Sequence, residues 1–130
     1  MSSSLYPRIL LVDDDVDTRE LYGLILRSHD YDVVDAADGA EALECIAERA
    51  VDLVITDVRM PRVDGLDVCR AAKALRPHAV PVVVITAMAA PHVIELAKEA
   101  GADVILVKPV TPSAVLDEVS ALLRRSWINE

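Results

Sequence analysis

The sequence predicts an α/β domain in which helices cover both faces of a parallel sheet. Three observations carry that expectation. Short aliphatic runs, rich in β-branched residues, recur along the 130 residues; they are too short for helices and lack the polarity alternation of a half-exposed strand. Segments with helical spacing of apolar residues separate them. The connections are short, with no repeat, linker or second composition zone, so strict βα alternation fills one domain, 1–130, with its core at about 8–125.

In order, "ILLV" (Ile9–Val12) is the first strand, and Leu21, Leu24, Ile25 and Ser28 share one face of the helix that follows. "DVVDAA" (Asp32–Ala37) mixes in charge and reads as an edge strand. Asp38, with Glu41 three residues on, caps a second helix whose stripe is Leu43, Ile46, Ala47 and Ala50. "LVIT" (Leu53–Thr56) is the third strand, and Val68, Cys69, Ala72 and Leu75 mark the third helix. "VVVIT" (Val82–Thr86) is the fourth strand. Pro91 opens the next helix, Val93, Leu96, Ala97 and Ala100 form its stripe, and Gly101 ends it. "VILV" (Val104–Val107) is the fifth strand. Thr111 and Pro112 start a last helix carrying Val115, Leu116, Val119, Leu122 and Leu123, with Arg124 and Arg125 in its final turn. The four purely aliphatic runs are expected to be buried on both faces, and Tyr22 reads as core.

A hydrophobic content of 53% excludes intrinsic disorder. Thirteen basic against 22 acidic side chains give a net charge of −9, which argues against nucleic acid or an anionic membrane as a direct partner. It suits a cation, a basic partner patch or simple solubility. No apolar run can span a bilayer, and "MSSSLYP" has no basic region followed by an apolar stretch, so a cytoplasmic location is expected. Cys45 and Cys69 fall on apolar helix positions and read as buried thiols in a reducing compartment. His29, His78 and His92 read as surface imidazoles.

The polar residues fall into a pattern at the strand ends. Asp13, Asp14 and Asp15 follow the first strand, Asp57 the third, Thr86 ends the fourth and Lys108 follows the fifth. In a parallel sheet all carboxyl ends lie on one edge, where open α/β sheets bind ligands. One acid there would simply start a turn; acids at two strand ends, with a hydroxyl and an ammonium at two more, point to a site. Clustered carboxylates repel one another and raise each other's pKa unless a cation sits between them. With oxygen donors only, the cation expected is a hard divalent ion, Mg²⁺. A cation, an ammonium and a hydroxyl suit the equatorial oxygens of a transferring phosphoryl group, with Asp57 placed as nucleophile.

These residues resemble the receiver domain of bacterial two-component response regulators. The resemblance runs from about Arg8 to Arg125 and rests on "LLVDDD" (Leu10–Asp15), "DVRMPRVDG" (Asp57–Gly65), "ITA" (Ile85–Ala87) and "GADVILVKP" (Gly101–Pro109), in that order. It implies a doubly wound, flavodoxin-like (βα)5 fold with strand order 2-1-3-4-5. It also implies a phosphorylation-activated switch in which Asp57 is the phosphoacceptor. Asp14, Asp57 and the backbone carbonyl of Arg59 would bind Mg²⁺, and Asp13 would act through a water. Thr86, Ala87 and Lys108 would bind the phosphoryl group and carry the switch, and Lys108–Pro109 would be a cis peptide. The implied partners are a sensor histidine kinase or histidine phosphotransfer protein and an output protein or domain of unknown identity. Asp15 fits as a helix cap or solvated charge.

The chain departs from the family pattern at Ile105, where a Tyr or Phe is usual, and at Val110, where a Phe is common after Lys-Pro; it has no Phe at all. Three readings of Ile105 stay open: an aliphatic side chain transmits the change, output uses another surface, or the residue is a tolerated variant. Arg59 and Met88 occupy positions that tune phosphoryl lifetime in the family. Trp127, beyond the last predicted helical turn, could cap the fold, join a homodimer or begin a linker. A single-domain regulator and a receiver cut from a longer protein both fit. Two competing functions remain. A Mg²⁺-dependent phosphohydrolase of the haloacid dehalogenase type would use Asp13-x-Asp15, but its further acidic pair would have to be Asp117 and Glu118, inside the last predicted helix. A receiver-like interaction module that is never phosphorylated would leave the acid, hydroxyl and lysine set without a purpose.

Overall fold

Five strands and five helices alternate along the chain in the computed structural model, which describes residues 6–75 and 79–128. The strands are β1 (Arg8–Val12), β2 (Asp32–Ala36), β3 (Leu53–Thr56), β4 (Val82–Thr86) and β5 (Val104–Val107). The helices are α1 (Val16–Ser28), α2 (Gly39–Glu48), α3 (Gly65–Lys73), α4 (Pro91–Ala100) and α5 (Pro112–Ile128). All neighbouring strands pair in parallel, in the order β2-β1-β3-β4-β5. The chain therefore reverses its winding direction between β1 and β3.

Successive strand residues point to opposite faces, and the core divides accordingly. Leu10, Val12, Val54, Val82 and Val84 pack on one side with Ile46, Val68, Cys69, Ala72, Val93 and Ala97, from α2, α3 and α4. Ile9, Leu11, Leu53, Ile55, Val83 and Ile85 pack on the other with Tyr22 and Leu26 of α1 and with Val115, Val119, Leu122 and Leu123 of α5. Apolar residues are needed at every position of a strand covered this way, which is why the central runs do not alternate. Each fully buried aliphatic side chain contributes about 1.5–3 kcal/mol from water exclusion.

The caps sit where the sequence places them. The Asp38 carboxylate accepts the Glu41 N–H at 2.8 Å, and Thr111 Oγ1 accepts the Ala114 N–H at 3.1 Å. Pro91 and Pro112 are first helical residues, and Gly101 closes α4 with a left-handed φ of 103°. Such a φ is free of steric cost only for glycine.

Several expectations need correction. On α1 the stripe Leu21, Leu24, Ile25 and Ser28 is not the buried face: Leu21 is 52% and Leu24 69% exposed, while Tyr22 and Leu26 are buried. Apolar residues surround this helix, so spacing alone cannot choose among its faces. On α2, Ala42 and Ile46 are buried and Ala47 and Ala50 exposed, Ala50 lying past the helix end. Leu96 on α4 is also exposed, Leu75 lies beyond α3, and Cys45 is only half-buried. β5 is an edge strand, so its residues are half-buried and Val107 is exposed rather than covered on both faces. α5 continues to Ile128 and takes in Trp127, which was expected beyond it. The Trp127 side chain, His78 and residues 1–5 lie outside what is described.

Candidate functional site

Local hydrogen bonding gives the three consecutive acids three different surroundings. The Asp13 N–H still donates to Ala36 at 3.2 Å, extending the β1–β2 pairing one residue past the strand. Asp13 is therefore drawn under the edge and is 4% exposed, whereas Asp14 is exposed. Asp15 caps α1, its carboxylate accepting from the backbone N–H and hydroxyl of Thr18. That leaves no role for Asp15 as the second acid of an Asp-x-Asp catalytic pair. Asp117 and Glu118 lie within α5.

Asp57 follows β3 directly, its N–H donating to Val12 at 3.2 Å. The loop folds tightly back on it: Thr56 Oγ1 donates to the Asp57 carbonyl at 2.9 Å and the Gly65 N–H to Val58 at 2.9 Å. A Cβ at Gly65 would lie 1.7 Å from the Asp57 carbonyl oxygen, so only glycine lets α3 begin this close. Asp64 caps α3, Oδ1 accepting from Leu66 at 2.9 Å and Asp67 at 3.1 Å.

These elements bring one carboxylate oxygen from each of Asp13, Asp14 and Asp57 within 4.8 Å of one another. Lys108 Nζ lies between two of the acids, donating to Asp13 Oδ2 at 3.2 Å and Asp57 Oδ2 at 3.0 Å. Asp13 Oδ1 accepts the Asp15 N–H at 2.9 Å and Asp57 Oδ1 the Val58 N–H at 2.7 Å. Burial pushes the Asp13 carboxyl above its ordinary value, against the Asp15 N–H and Lys108, with the Asp57 charge adding the last and smallest upward push. Mutual repulsion, the cause expected from the sequence, is thus the minor one. Burial lowers the Lys108 pKa, but hydrogen bonds and charges from Asp57 and Asp13 outweigh it and hold the ammonium above its usual range.

Thr86 is 1% exposed, and its hydroxyl accepts the Met88 N–H at 3.0 Å. Ala87 and the Arg59 side chain are exposed beside the site. The Lys108–Pro109 peptide is cis, as expected. Ile105 is half-buried against the cluster beneath α2–α4, while Val110 packs on the opposite cluster. A cavity of about 560 Å³ opens next to Asp14, lined by Val58, Met60, Pro61, Met88 and His92 among others. Sequence reasoning missed two contacts. Arg19 on α1 donates to the Asp13 carbonyl at 2.6 Å, and the Tyr22 hydroxyl donates to the Val110 carbonyl at 3.2 Å.

Three neighbouring carboxylates, two of them paired with one ammonium, offer oxygen donors only, which fits a hard divalent cation and no soft one. The comparisons with known proteins agree with this picture. The family model described as the response regulator receiver domain matches residues 9–120. The DNA-binding response regulator MtrA of Mycobacterium leprae is 38% identical over 119 residues, covering 92% of this chain and 52% of MtrA. Response regulator MprA of Mycobacterium sp. (strain KMS) is 42% identical over 123 residues, covering 95% of this chain and 53% of MprA. The chain thus spans about half the length of these curated relatives. Among solved structures, a CheY-like receiver domain protein from Methanospirillum hungatei superposes with a TM-score of 0.90 at 29% identity, covering 96% of this chain and 99% of that one.

Proposed function

The chain belongs to the response regulator receiver domain family, and on that premise we propose that Asp57 is its phosphoacceptor, with a histidine kinase or histidine phosphotransfer protein as donor. As a receiver domain it is a phosphorylation-activated signalling switch, and receivers bind Mg²⁺ at an acidic pocket. In this chain Asp13, Asp14, Asp57 and the Arg59 carbonyl would hold the ion. When bound, Mg²⁺ supplies positive charge to offset that of the acids and the incoming phosphoryl group.

The chain's own residues divide the rest of the chemistry. An Asp57 carboxylate oxygen attacks phosphorus, the bond to the donor nitrogen breaks, and an acyl phosphate forms. Lys108, already paired with Asp57 Oδ2 at 3.0 Å, stays with the product and stabilises charge on the phosphoryl oxygens. The Thr86 hydroxyl, now engaged with Met88, would exchange that bond for one to the phosphoryl group and draw Ala87 and its loop along. Autodephosphorylation would run from the same site. The partners would be the kinase and an output protein or domain, in the cytoplasm. The observation that carries this reading is the convergence of Asp13, Asp14 and Asp57 with Lys108 between two of them.

The test is intact-mass measurement after incubation with Mg²⁺ and acetyl phosphate. Transfer breaks the acyl P–O bond, releases acetate and adds one labile phosphoryl group. Wild type should gain one adduct and Asp57→Asn none. An adduct that survives Asp57→Asn but not Asp13→Asn would contradict the assignment.

A further inference from the structure

One helix holds both loops of the site by their main chain. Arg19 and Tyr22 lie three residues apart on α1, so they share a face; Arg19 is half-buried and Tyr22 buried. The Arg19 guanidinium donates at 2.6 Å to the carbonyl of Asp13, in the loop that presents Asp13 and Asp14. The Tyr22 hydroxyl donates at 3.2 Å to the carbonyl of Val110, two residues after Lys108. Neither contact uses a carboxylate, so the reactive oxygens stay available.

Among the described residues no acid lies within ion-pair distance of Arg19. A cation bonded to a carbonyl makes a stronger and shorter contact than a neutral donor would. Here that strength fixes the acid loop. Tyr22 fixes the opposite loop, whose lysine bridges Asp13 and Asp57. α1 thus touches the acid loop and the lysine loop alike, through two bonds that can be removed one at a time.

We propose that Arg19 and Tyr22 are positioning residues for phosphoryl transfer. Arg19 sets the acid loop and hence the affinity for Mg²⁺; Tyr22 sets the lysine loop and hence the rate of transfer once Mg²⁺ is saturating. This deepens the function proposed above and rests on it. It also distinguishes these residues from a general anchor of α1, whose loss would move both quantities together or neither.

Two measurements on the full chain test it: calorimetric titration with Mg²⁺ alone, and single-turnover phosphorylation by acetyl phosphate across a Mg²⁺ range. Arg19→Gln should weaken Mg²⁺ binding about tenfold, the scale of outer-contact losses at metal sites, with the limiting rate little changed. Arg19→Lys, which keeps the charge, should recover part of that affinity. Tyr22→Phe keeps the buried ring and should lower the limiting rate about threefold to tenfold, the worth of one hydrogen bond, at unchanged Mg²⁺ affinity. Variants that shift only the melting temperature, or that both move the same parameter, overturn the inference. A wild type that binds Mg²⁺ but takes no phosphoryl group overturns the proposed function and the Tyr22 half with it, while the calorimetry still decides Arg19.

Discussion

At the amino edge of the sheet, Asp52 accepts the Arg8 backbone N–H at 2.7 Å and Asp32 accepts Arg8 Nε at 2.8 Å. Asp103, just before β5, takes the Val82 N–H at 2.8 Å and Lys73 Nζ at 2.6 Å. Each of these acids ties one strand to its neighbour. At the carboxyl edge Asp13, Asp14 and Asp57 crowd together with a single lysine pairing two of them, and burial disfavours the ionised form of Asp13. The same residue types stabilise the fold at one edge and burden it at the other. The uncompensated negative charge is what a divalent cation is expected to offset before an anionic phosphoryl group can approach.

The largest effect concerns how closely that edge is built. Gly65→Ala drives a Cβ into the Asp57 carbonyl and should cost about 3 kcal/mol, the upper range for overpacking, read by urea unfolding. Next is the cation itself. Mg²⁺ at one hundred times its dissociation constant should stabilise the wild type by about 2.7 kcal/mol. Asp14→Asn should lose most of that gain at the same concentration, as followed by thermal melts with and without EDTA.

A smaller effect carries a pH signature. The folded-state pKa of Asp13 is raised, so the folded protein binds its proton more readily than the unfolded chain does. Its stability penalty is therefore full above the folded pKa and absent below the ordinary 3.8. In Mg²⁺-free buffer Asp13→Asn should be more stable than wild type at neutral pH, and the difference should shrink as pH falls through that window. The smallest effect lies in the loop after Asp57, where Arg62 adopts a left-handed φ of 69°. Arg62→Gly should relieve that conformation and gain up to about 1 kcal/mol, visible as a small rise in denaturation midpoint.

Much of this architecture was legible because its signals are local. Aliphatic runs, Asp38 with Glu41, Pro91, Pro112 and Gly101 each act on their own few residues. The acids and the lysine were legible as a group because parallel topology carries every strand end to one edge. α1 was not. Leu21, Tyr22, Leu24, Ile25 and Leu26 offer apolar residues on several faces, and the choice of Tyr22 and Leu26 is made by the strands and α5 they meet. Arg19 looks like an ordinary surface arginine until its contact with a loop carbonyl is seen. The half-exposure of β5 follows from its place in the strand order, which its composition does not encode. Ile105 is half-buried against the α2–α4 side of the core.

The most direct measurement pairs the two edges: thermal melts of Asp13→Asn and Asp103→Asn at neutral pH in Mg²⁺-free buffer. Asp103→Asn removes a charge that pairs with Lys73 and should lower the midpoint; Asp13→Asn removes a buried charge in a crowd of acids and should raise it. Shifts of opposite sign are the predicted result. Two shifts downward would contradict the claim that the carboxyl edge holds charge at the expense of stability.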